Sequence, residues 1–193
     1  MFSETMDILH RAEAAAVAAA YDFSQFETVV DVGGATGNLL ATILGSHRGP
    51  RGILFDLPHV VDGAPALLQS RGLTDRISIK PGNFFESVPA GGDAYLISRV
   101  IHNWSETQCL TILGNCSRSM KTGGRLLIIE AVLPTGDTPH PGKVMDIISL
   151  TSCPGGQERT ELEYRALLDK AGLRLTRVVP TESEVSIVEA FGT

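Results

Sequence analysis

The sequence predicts an α/β fold in which a mostly parallel sheet carries helices on both faces. Short β-branched runs alternate with helical segments, which is the pattern of βαβ units. The first run, Thr28 to Val32, leads directly into a glycine cluster that can turn the chain tightly into a helix. The last two strand candidates have no helix between them. We therefore expect an antiparallel C-terminal hairpin at one edge of the sheet.

The same alternation assigns the elements in order. A helix rich in alanine precedes the sheet, from Ser3 to Ala20. The strand candidates are Thr28 to Val32, Gly52 to Asp56, Arg76 to Lys80, Ala94 to Ser98, Arg125 to Ala131, Leu173 to Pro180 and Val185 to Ala190. The helix candidates are Asn38 to Ser46, Val60 to Ser70, Glu106 to Met120, Lys143 to Thr151 and Leu162 to Ala171. Gly172 marks the end of the last helix.

Composition narrows the classes of function. The chain has 193 residues, 43% of them hydrophobic, enough for one core and one domain. Its formal net charge is -6 and it has no Lys/Arg cluster, which argues against a nucleic-acid partner. The apolar runs are too short to cross a membrane, and the N-terminal segment lacks the pattern of a signal peptide, so we expect a cytoplasmic protein. Cys109 and Cys116 are expected to be small core residues with free thiols.

A glycine-rich loop is the strongest local signal. Residues 29–37 read Val-Val-Asp-Val-Gly-Gly-Ala-Thr-Gly, an acid followed by glycines at a spacing that does not match the G-x-G-x-x-G fingerprint of dinucleotide-binding enzymes. Asp56 lies at the end of the second strand, where a carboxylate can meet ribose hydroxyls. Gly82-Asn83-Phe84-Phe85 follows the third strand, where an amide and an aromatic ring can contact a purine. The alternative is a glycine turn that only packs the strand against the helix.

Three side chains are candidates for acid–base chemistry. His102 follows the fourth strand and so lies at the same sheet edge as the glycine loop, and its pKa suits a general base. Glu130 ends the fifth strand, and Glu158 precedes a helix. Each has a simpler interpretation: His102 as a structural histidine, Glu130 as an exposed strand end, and Glu158 as a first-turn charge that complements the helix dipole.

These motifs resemble those of small-molecule O-methyltransferases of the caffeic acid and hydroxyneurosporene type, over nearly the whole chain. The matching segments are 31–37, Phe55-Asp56-Leu57-Pro58, Gly82-Asn83-Phe84-Phe85, Ile101-His102-Asn103-Trp104 and residues 155–160, Gly-Gly-Gln-Glu-Arg-Thr. The resemblance implies a class I methyltransferase fold of the Rossmann-like type. It also implies S-adenosyl-L-methionine as methyl donor, S-adenosyl-L-homocysteine as product, and no metal.

The resemblance further implies roles for individual residues. His102 would deprotonate the hydroxyl of a small, aromatic or polyketide-like acceptor, with Glu130 and Glu158 orienting it. The donor would be bound by nine residues. They are Asp31, Gly33, Gly34, Gly37, Asp56, Leu57, Asn83, Phe84 and Ser98.

The chain departs from the family pattern at four positions. Ala35 replaces the middle glycine, Asn83 and Asn103 replace aspartates, and Ser98 stands where the family commonly has a lysine. These replacements keep open a second hypothesis, a non-methylating relative that binds the cofactor or a metabolite.

The resemblance also suggests a division of the chain. Residues 1–22 would form a linker helix and residues 23–193 the methyltransferase domain. The N-terminal dimerisation domain usual in the family would be absent, leaving a homodimer partner or a separate lid chain to complete the acceptor pocket. The pocket wall within this chain would come from the region of Met145, Ile148, Ser149 and Ser152.

Overall fold

A seven-stranded sheet forms the centre of the protein. The computed structural model describes residues 12–136, 139, 142, 143, 146 and 155–192. The strands of the large sheet are β1 (Thr28–Val32), β2 (Arg51–Asp56), β3 (Ile77–Pro81), β4 (Gly92–Ser98), β5 (Met120–Glu130), β8 (Leu173–Pro180) and β9 (Ser186–Gly192). Two further short strands, β6 (Val132–Leu133) and β7 (Arg159–Thr160), pair only with each other.

The strand order confirms the predicted fold class. It runs β3-β2-β1-β4-β5-β9-β8, with parallel pairing from β3 to β5 and antiparallel pairing of β9 with both β5 and β8. The chain reverses direction along the sheet between β3 and β4, so the carboxyl ends of β1 and β4 lie side by side. In open α/β sheets this switch point is where ligands bind.

Helices connect the strands and cover the sheet. Residues 12–20 are helical, in agreement with the described part of the predicted N-terminal helix. The remaining helices are Asn38–Ser46, Pro58–Val61, Ala64–Ser70, Glu106–Ser119 and Glu161–Lys170, with short 3-10 turns at Phe23–Gln25 and Ile101–Asn103. Most of the prediction for Lys143 to Thr151 lies outside the described residues.

Two predicted elements differ from the structure by more than one or two residues at their ends, and one pair of strands is additional to the prediction. The helix expected from Val60 to Ser70 is two helices, Pro58–Val61 and Ala64–Ser70, because Asp62 and Gly63 interrupt it and Pro65 lies in the first turn of the second helix. Strand β5 starts at Met120 rather than Arg125 and ends one residue before Ala131. The β6–β7 pair was not predicted, since two-residue strands carry no periodicity.

The buried core consists of two clusters of apolar residues. Val17, Ala18 and Tyr21 pack in one cluster with the face of the sheet that includes Val29, so the N-terminal helix is part of the core. Cys109 and Cys116 are fully buried in the other cluster, as predicted for small core residues. In the described part of the chain, each helix is too short or too polar to span a bilayer.

Candidate active site

The glycine loop after β1 is shaped by close backbone contacts. Gly33 has a φ of 73° and donates its N–H to the carbonyl of Phe55 at 2.8 Å. A Cβ atom on Gly34 would come within 2.6 Å of the Asp31 carboxylate and of Leu54. Only glycine therefore fits at position 34, and at position 33 the positive φ also favours it. The loop ends at Gly37, which caps the helix Asn38–Ser46 in a left-handed conformation.

Asp31 is a buried acid beneath this loop. Its side chain is 1% exposed, and neither carboxylate oxygen has a hydrogen bond of normal geometry from the described residues. Burial, and to a lesser degree the charge of Asp56, raises the pKa of Asp31 to about 7; the backbone N–H of Leu40 favours the charged form but does not offset this. Among the described residues, Asp31 therefore has no cationic partner and no side-chain donor that would offset its burial.

A cleft of about 440 Å³ opens over the loop. Among the residues predicted to bind the donor, Asp31, Gly33, Gly34 and Ser98 line it. Two charged residues that the sequence analysis did not single out, Glu13 and Arg99, also line it. Arg99 could have been found by the argument used for His102, since it directly follows the end of β4.

The other predicted donor residues lie beside this cleft rather than in its lining. Asp56 accepts hydrogen bonds from the backbone N–H groups of Ala35, at 2.9 Å, and Leu57, at 2.7 Å. Asn83 accepts from the backbone N–H of Phe85 at 3.0 Å, which fixes the turn after β3. These two side chains hold the loops at the sheet edge through contacts that residue type alone does not indicate.

Phe84 and Leu57, which were also predicted to bind the donor, are apolar side chains near the ends of β3 and β2. The Phe84 ring makes edge contacts with the rings of Phe85 and Trp104. Leu57 is 38% exposed, unusual for a large apolar side chain in this protein.

The predicted catalytic residues are brought together from three parts of the chain. His102 lies in the 3-10 turn after β4, Glu130 at the end of β5, and Glu158 directly before β7. The Nδ1 atom of His102 lies 2.7 Å from Oε1 of Glu158. The backbone N–H of His102 donates to Oε1 of Glu130 at 3.1 Å. One carboxylate thus contacts the ring and the other contacts the main chain.

Burial rules out the simpler interpretations of both glutamates. Glu130 is fully buried and is not an exposed strand end. Glu158 is 3% exposed and lies outside the following helix, whose first-turn acids are Glu161 and Glu163. The second carboxylate oxygen of Glu158 has no hydrogen-bond partner among the described residues.

The two carboxylates shift the titration of the histidine. Burial of His102 by itself lowers its pKa, but the hydrogen bond to Glu158 and the charges of Glu130 and Glu158 outweigh burial and Arg99, so the pKa is raised overall. Burial raises the pKa of Glu130, against the opposing effects of His102 and Tyr164.

Two further residues support the site and were not assigned a role from sequence. Tyr164 is fully buried and donates its hydroxyl to Oε2 of Glu130 at 2.7 Å. Arg159, 2% exposed, donates to the carbonyls of Ile101 at 3.3 Å and Gln157 at 3.2 Å. Arg159 therefore ties the turn that carries His102 to the segment that carries Glu158. Tyr164 lies on the apolar stripe of its helix, and a buried hydroxyl there needs a partner.

The predicted pocket wall and a possible metal site concern other parts of the chain. The expected pocket-wall positions Met145, Ile148, Ser149 and Ser152 lie outside the described residues. Within the residues that the structure describes, no group of three His, Cys, Asp or Glu side chains is arranged to hold a metal ion.

Comparison with known proteins places this site in a family. A phenazine O-methyltransferase, PhzM, from Lysobacter antibioticus is 45% identical over 98% of this chain and 55% of its own length. A mitomycin biosynthesis 6-O-methyltransferase from Streptomyces lavendulae is 42% identical over 98% of this chain and 54% of its own length. The chain thus spans about half the length of the curated relatives it matches.

Solved structures agree with this assignment. The crystal structure of LaPhzM has a TM-score of 0.93 and 45% identity, with 100% of this chain and 57% of the other covered. The structure of CalO1, a methyltransferase in calicheamicin biosynthesis solved in an SAH-bound form, has a TM-score of 0.90 and 38% identity, covering 100% and 56% of the two chains. The family model for the O-methyltransferase domain matches residues 1–174. The chain belongs to the O-methyltransferase domain family.

Proposed function

We propose that this chain is the catalytic region of an S-adenosyl-L-methionine-dependent O-methyltransferase in which His102 is the general base. The observation that carries the proposal is the 2.7 Å contact between His102 and Glu158, at the sheet edge that also bears the glycine loop. A histidine oriented by a buried carboxylate is an arrangement suited to proton abstraction from a hydroxyl.

The residues around the cleft fit the donor. The loop at Gly33 and Gly34 packs closely on Val100, Asp31 and Leu54, because a Cβ at either position would collide with them, and this packing forms the floor of the cleft. The buried, unpartnered carboxylate of Asp31 suits a ligand that carries positive charge or N–H donors. We propose that Asp31, Gly33, Gly34 and Ser98 contact this ligand, while Asp56 and Asn83 hold the neighbouring loops. When bound, S-adenosyl-L-methionine supplies a methyl group activated by its sulfonium.

The hydrogen bond to Glu158 determines how His102 acts. A carboxylate at Nδ1 favours the tautomer with a proton on Nδ1, which leaves the lone pair on Nε2. Nε2 accepts the hydroxyl proton of the acceptor as the oxygen forms its bond to the methyl carbon and the carbon–sulfur bond breaks. The imidazolium that results is stabilised by Glu158, and its proton then passes to solvent. Glu130 and Arg159 keep the backbone of this turn in place.

We propose a small aromatic or polyketide-like hydroxyl compound as the acceptor. Relatives named as phenazine, mitomycin and 3-amino-4-hydroxybenzoate O-methyltransferases support this class. The relatives are nearly twice as long as the matched region, and we propose that the acceptor pocket is completed by further protein, in a homodimer or from a separate lid chain. We propose the cytoplasm as the compartment. The non-methylating alternative is not favoured, because the relatives are named as O-methyltransferases.

Donor binding and methyl transfer together test this function. We expect S-adenosylhomocysteine to bind with a micromolar Kd by calorimetry. Radiolabelled methyl transfer to a panel of phenols, hydroxyphenazines and hydroxynaphthoates should fall about 100-fold or more in His102→Ala, the usual contribution of a general base. His59→Ala, which removes an exposed histidine from the helix Pro58–Val61, is the matched control. Equal transfer by His102→Ala and the wild type would exclude His102 as the base.

A further inference from the structure

Glu158 is held in place through its main chain as well as through its side chain. Oδ1 of Asp146 accepts the backbone N–H of Glu158 at 2.8 Å. Asp146 is a partly buried residue in helical conformation, 12 residues before Glu158 in the chain. We propose that Asp146 is a positioning residue that keeps the carboxylate of Glu158 against Nδ1 of His102, a role that rests on the base proposed above.

Side chains bond both polar groups of the peptide directly before Glu158. Its N–H donates to Asp146, and its carbonyl accepts from Nη1 of Arg159 at 3.2 Å. The same Nη1 atom donates to the carbonyl of Ile101, in the turn that carries His102, at 3.3 Å. Because a peptide group is planar, these two bonds fix its orientation. They therefore fix the direction in which the Glu158 side chain leaves the main chain.

The side chain of Glu158 does not fix its own position. Its Oε1 atom contacts His102, while Oε2 has no hydrogen-bond partner among the described residues. A single contact at the tip of a flexible side chain sets a distance but not the path of the main chain. Glu158 is 3% exposed, and a buried N–H needs an acceptor. Asp146 supplies that acceptor, and a carboxylate makes the hydrogen bond stronger than a neutral acceptor would.

The pKa of His102 responds to the contact that Asp146 is proposed to hold. Burial and the charge of Arg99 lower this pKa, whereas the hydrogen bond to Glu158 and the charges of Glu130 and Glu158 raise it, and the raising effects are larger. A displacement of Glu158 from Nδ1 removes the hydrogen bond and weakens the attraction. The pKa of His102 then falls.

Removal of the acceptor at Asp146 tests this role through the titration of His102. Nitrogen NMR of the imidazole rings follows the histidines of the 193-residue chain, and the His102 signals are identified by their loss in His102→Gln. We expect Asp146→Leu, which keeps the side-chain volume, and Asp146→Ala, which does not, to lower the pKa of His102 by about 0.5 to 1. Asp146→Asn keeps an oxygen acceptor in the same place and should leave this pKa within about 0.2 of the wild type.

The comparison of asparagine with leucine separates the hydrogen bond from the charge, since both remove the charge of Asp146. Equal pKa values of His102 in these two variants, or an unchanged pKa in Asp146→Leu, would overturn the proposal. A further decrease on adding Asp146→Leu to Glu158→Gln would also overturn it, because Asp146 would then act by another route. Asp169→Leu, which removes an exposed acid from the helix Glu161–Lys170, should leave the pKa unchanged. A cooperative urea transition identifies the variants that fold.

Methyl transfer gives a second readout. We expect the kcat of Asp146→Leu to fall about 10-fold, with the KM for S-adenosyl-L-methionine changed less than about twofold. The acid limb of the pH–rate profile should move to lower pH, together with the pKa of His102. A fall in kcat with an unmoved acid limb would indicate a structural role only. The titration needs neither donor nor acceptor, so a wild-type chain without methyl transfer would overturn the proposed function, whereas an unshifted titration would overturn only the role of Asp146.

Discussion

The donor side and the catalytic side of this sheet edge are built by different means. The proposed donor side consists mainly of backbone: glycines 33 and 34 pack closely on Val100, Asp31 and Leu54, and the carboxylate oxygens of Asp31 lack a hydrogen-bond partner among the described residues. The proposed catalytic side consists of side chains that bind one another, with His102 bound to Glu158 and Glu130 bound to Tyr164, although Oε2 of Glu158 lacks a partner among the described residues. Side-chain hydrogen bonds therefore orient the proposed catalytic groups, whereas close backbone packing shapes the proposed donor side.

Glu158→Gln tests whether the proposed base depends on the negative charge of Glu158 as well as on its hydrogen bond to His102. The amide can still accept from Nδ1 but cannot stabilise the imidazolium, so we expect methyl transfer to fall about 10- to 100-fold. In the proposed mechanism the neutral form of His102 is the base, and the charge of Glu158 contributes to the raised pKa of His102. Without that charge the pKa falls, so the acid limb of the pH–rate profile moves to lower pH. Glu161→Gln, on the exposed first turn of the next helix, is the control. An unshifted acid limb would contradict the role of Glu158.

Asp31→Asn tests whether the buried carboxylate of Asp31 destabilises the folded chain while it favours binding of the donor. The pKa of Asp31 is about 7 in the fold and near 4 when unfolded, so the folded state loses stability as the pH rises from about 4 to 7. Asparagine removes this penalty. We expect the variant to gain about 1–3 kcal/mol in urea unfolding at pH 8 and clearly less at pH 5.5, while it binds S-adenosylhomocysteine more weakly. Asp62→Asn, an exposed acid, should change neither. A loss of stability at pH 8 would show that Asp31 has a partner in the folded chain.

Tyr164→Phe measures how much the satisfied network stabilises the fold. It leaves Oε2 of the buried Glu130 without a donor, which costs about 1–3 kcal/mol in the free energy of unfolding. A double-mutant cycle with Glu130→Gln isolates the pair, and we expect a coupling of about 1 kcal/mol. Coupling indistinguishable from zero would mean that the hydroxyl and the carboxylate act independently.

Ala35→Gly has the smallest expected effect. Ala35 has a φ of +50°, which glycine adopts without strain, and its N–H donates to Asp56 in either case. The relieved strain slightly exceeds the entropic cost of glycine, so we expect a gain of about 0.5 kcal/mol in thermal unfolding. Ala66→Gly, in the helix Ala64–Ser70, should instead lose about 1 kcal/mol. The same sign for both variants would exclude a strained loop.

Much of the fold could be predicted because it depends on local pattern. Thr28–Val32 and Asn38–Ser46 have the predicted bounds, since a β-branched run and a glycine cap determine where each begins and ends. The interruption at Asp62 and Gly63 was missed because the apolar period continues across it. The pair β6–β7 was missed because its strands are held by tertiary contacts rather than by propensity.

The site could be predicted less completely. Because His102 follows a strand of the parallel sheet, its location at the sheet edge could be predicted. Arg99 directly follows the same strand, so its location at this edge could have been predicted in the same way, but no role was assigned to its charge. The partners of Asp56 and Asn83 are backbone groups of neighbouring loops, and no pattern in the sequence specifies them. The partner of Tyr164 lies 34 residues away in the chain, so residue spacing could not identify it.

The small sheet of β6 and β7 makes the contact between His102 and Glu158 sensitive to local opening. Glu158 is held next to a ladder of only two residue pairs, Val132 with Arg159 and Leu133 with Thr160. Opening a ladder of this size costs less than unfolding the seven-stranded sheet, so its amides should exchange hydrogen faster than those at the centre of β5. In such openings we expect His102 to lose its contact with Glu158 while the glycine loop stays intact. The proposed donor site would then persist without an oriented base, so the methyl transfer proposed for this chain would depend on how often the two-residue ladder is closed.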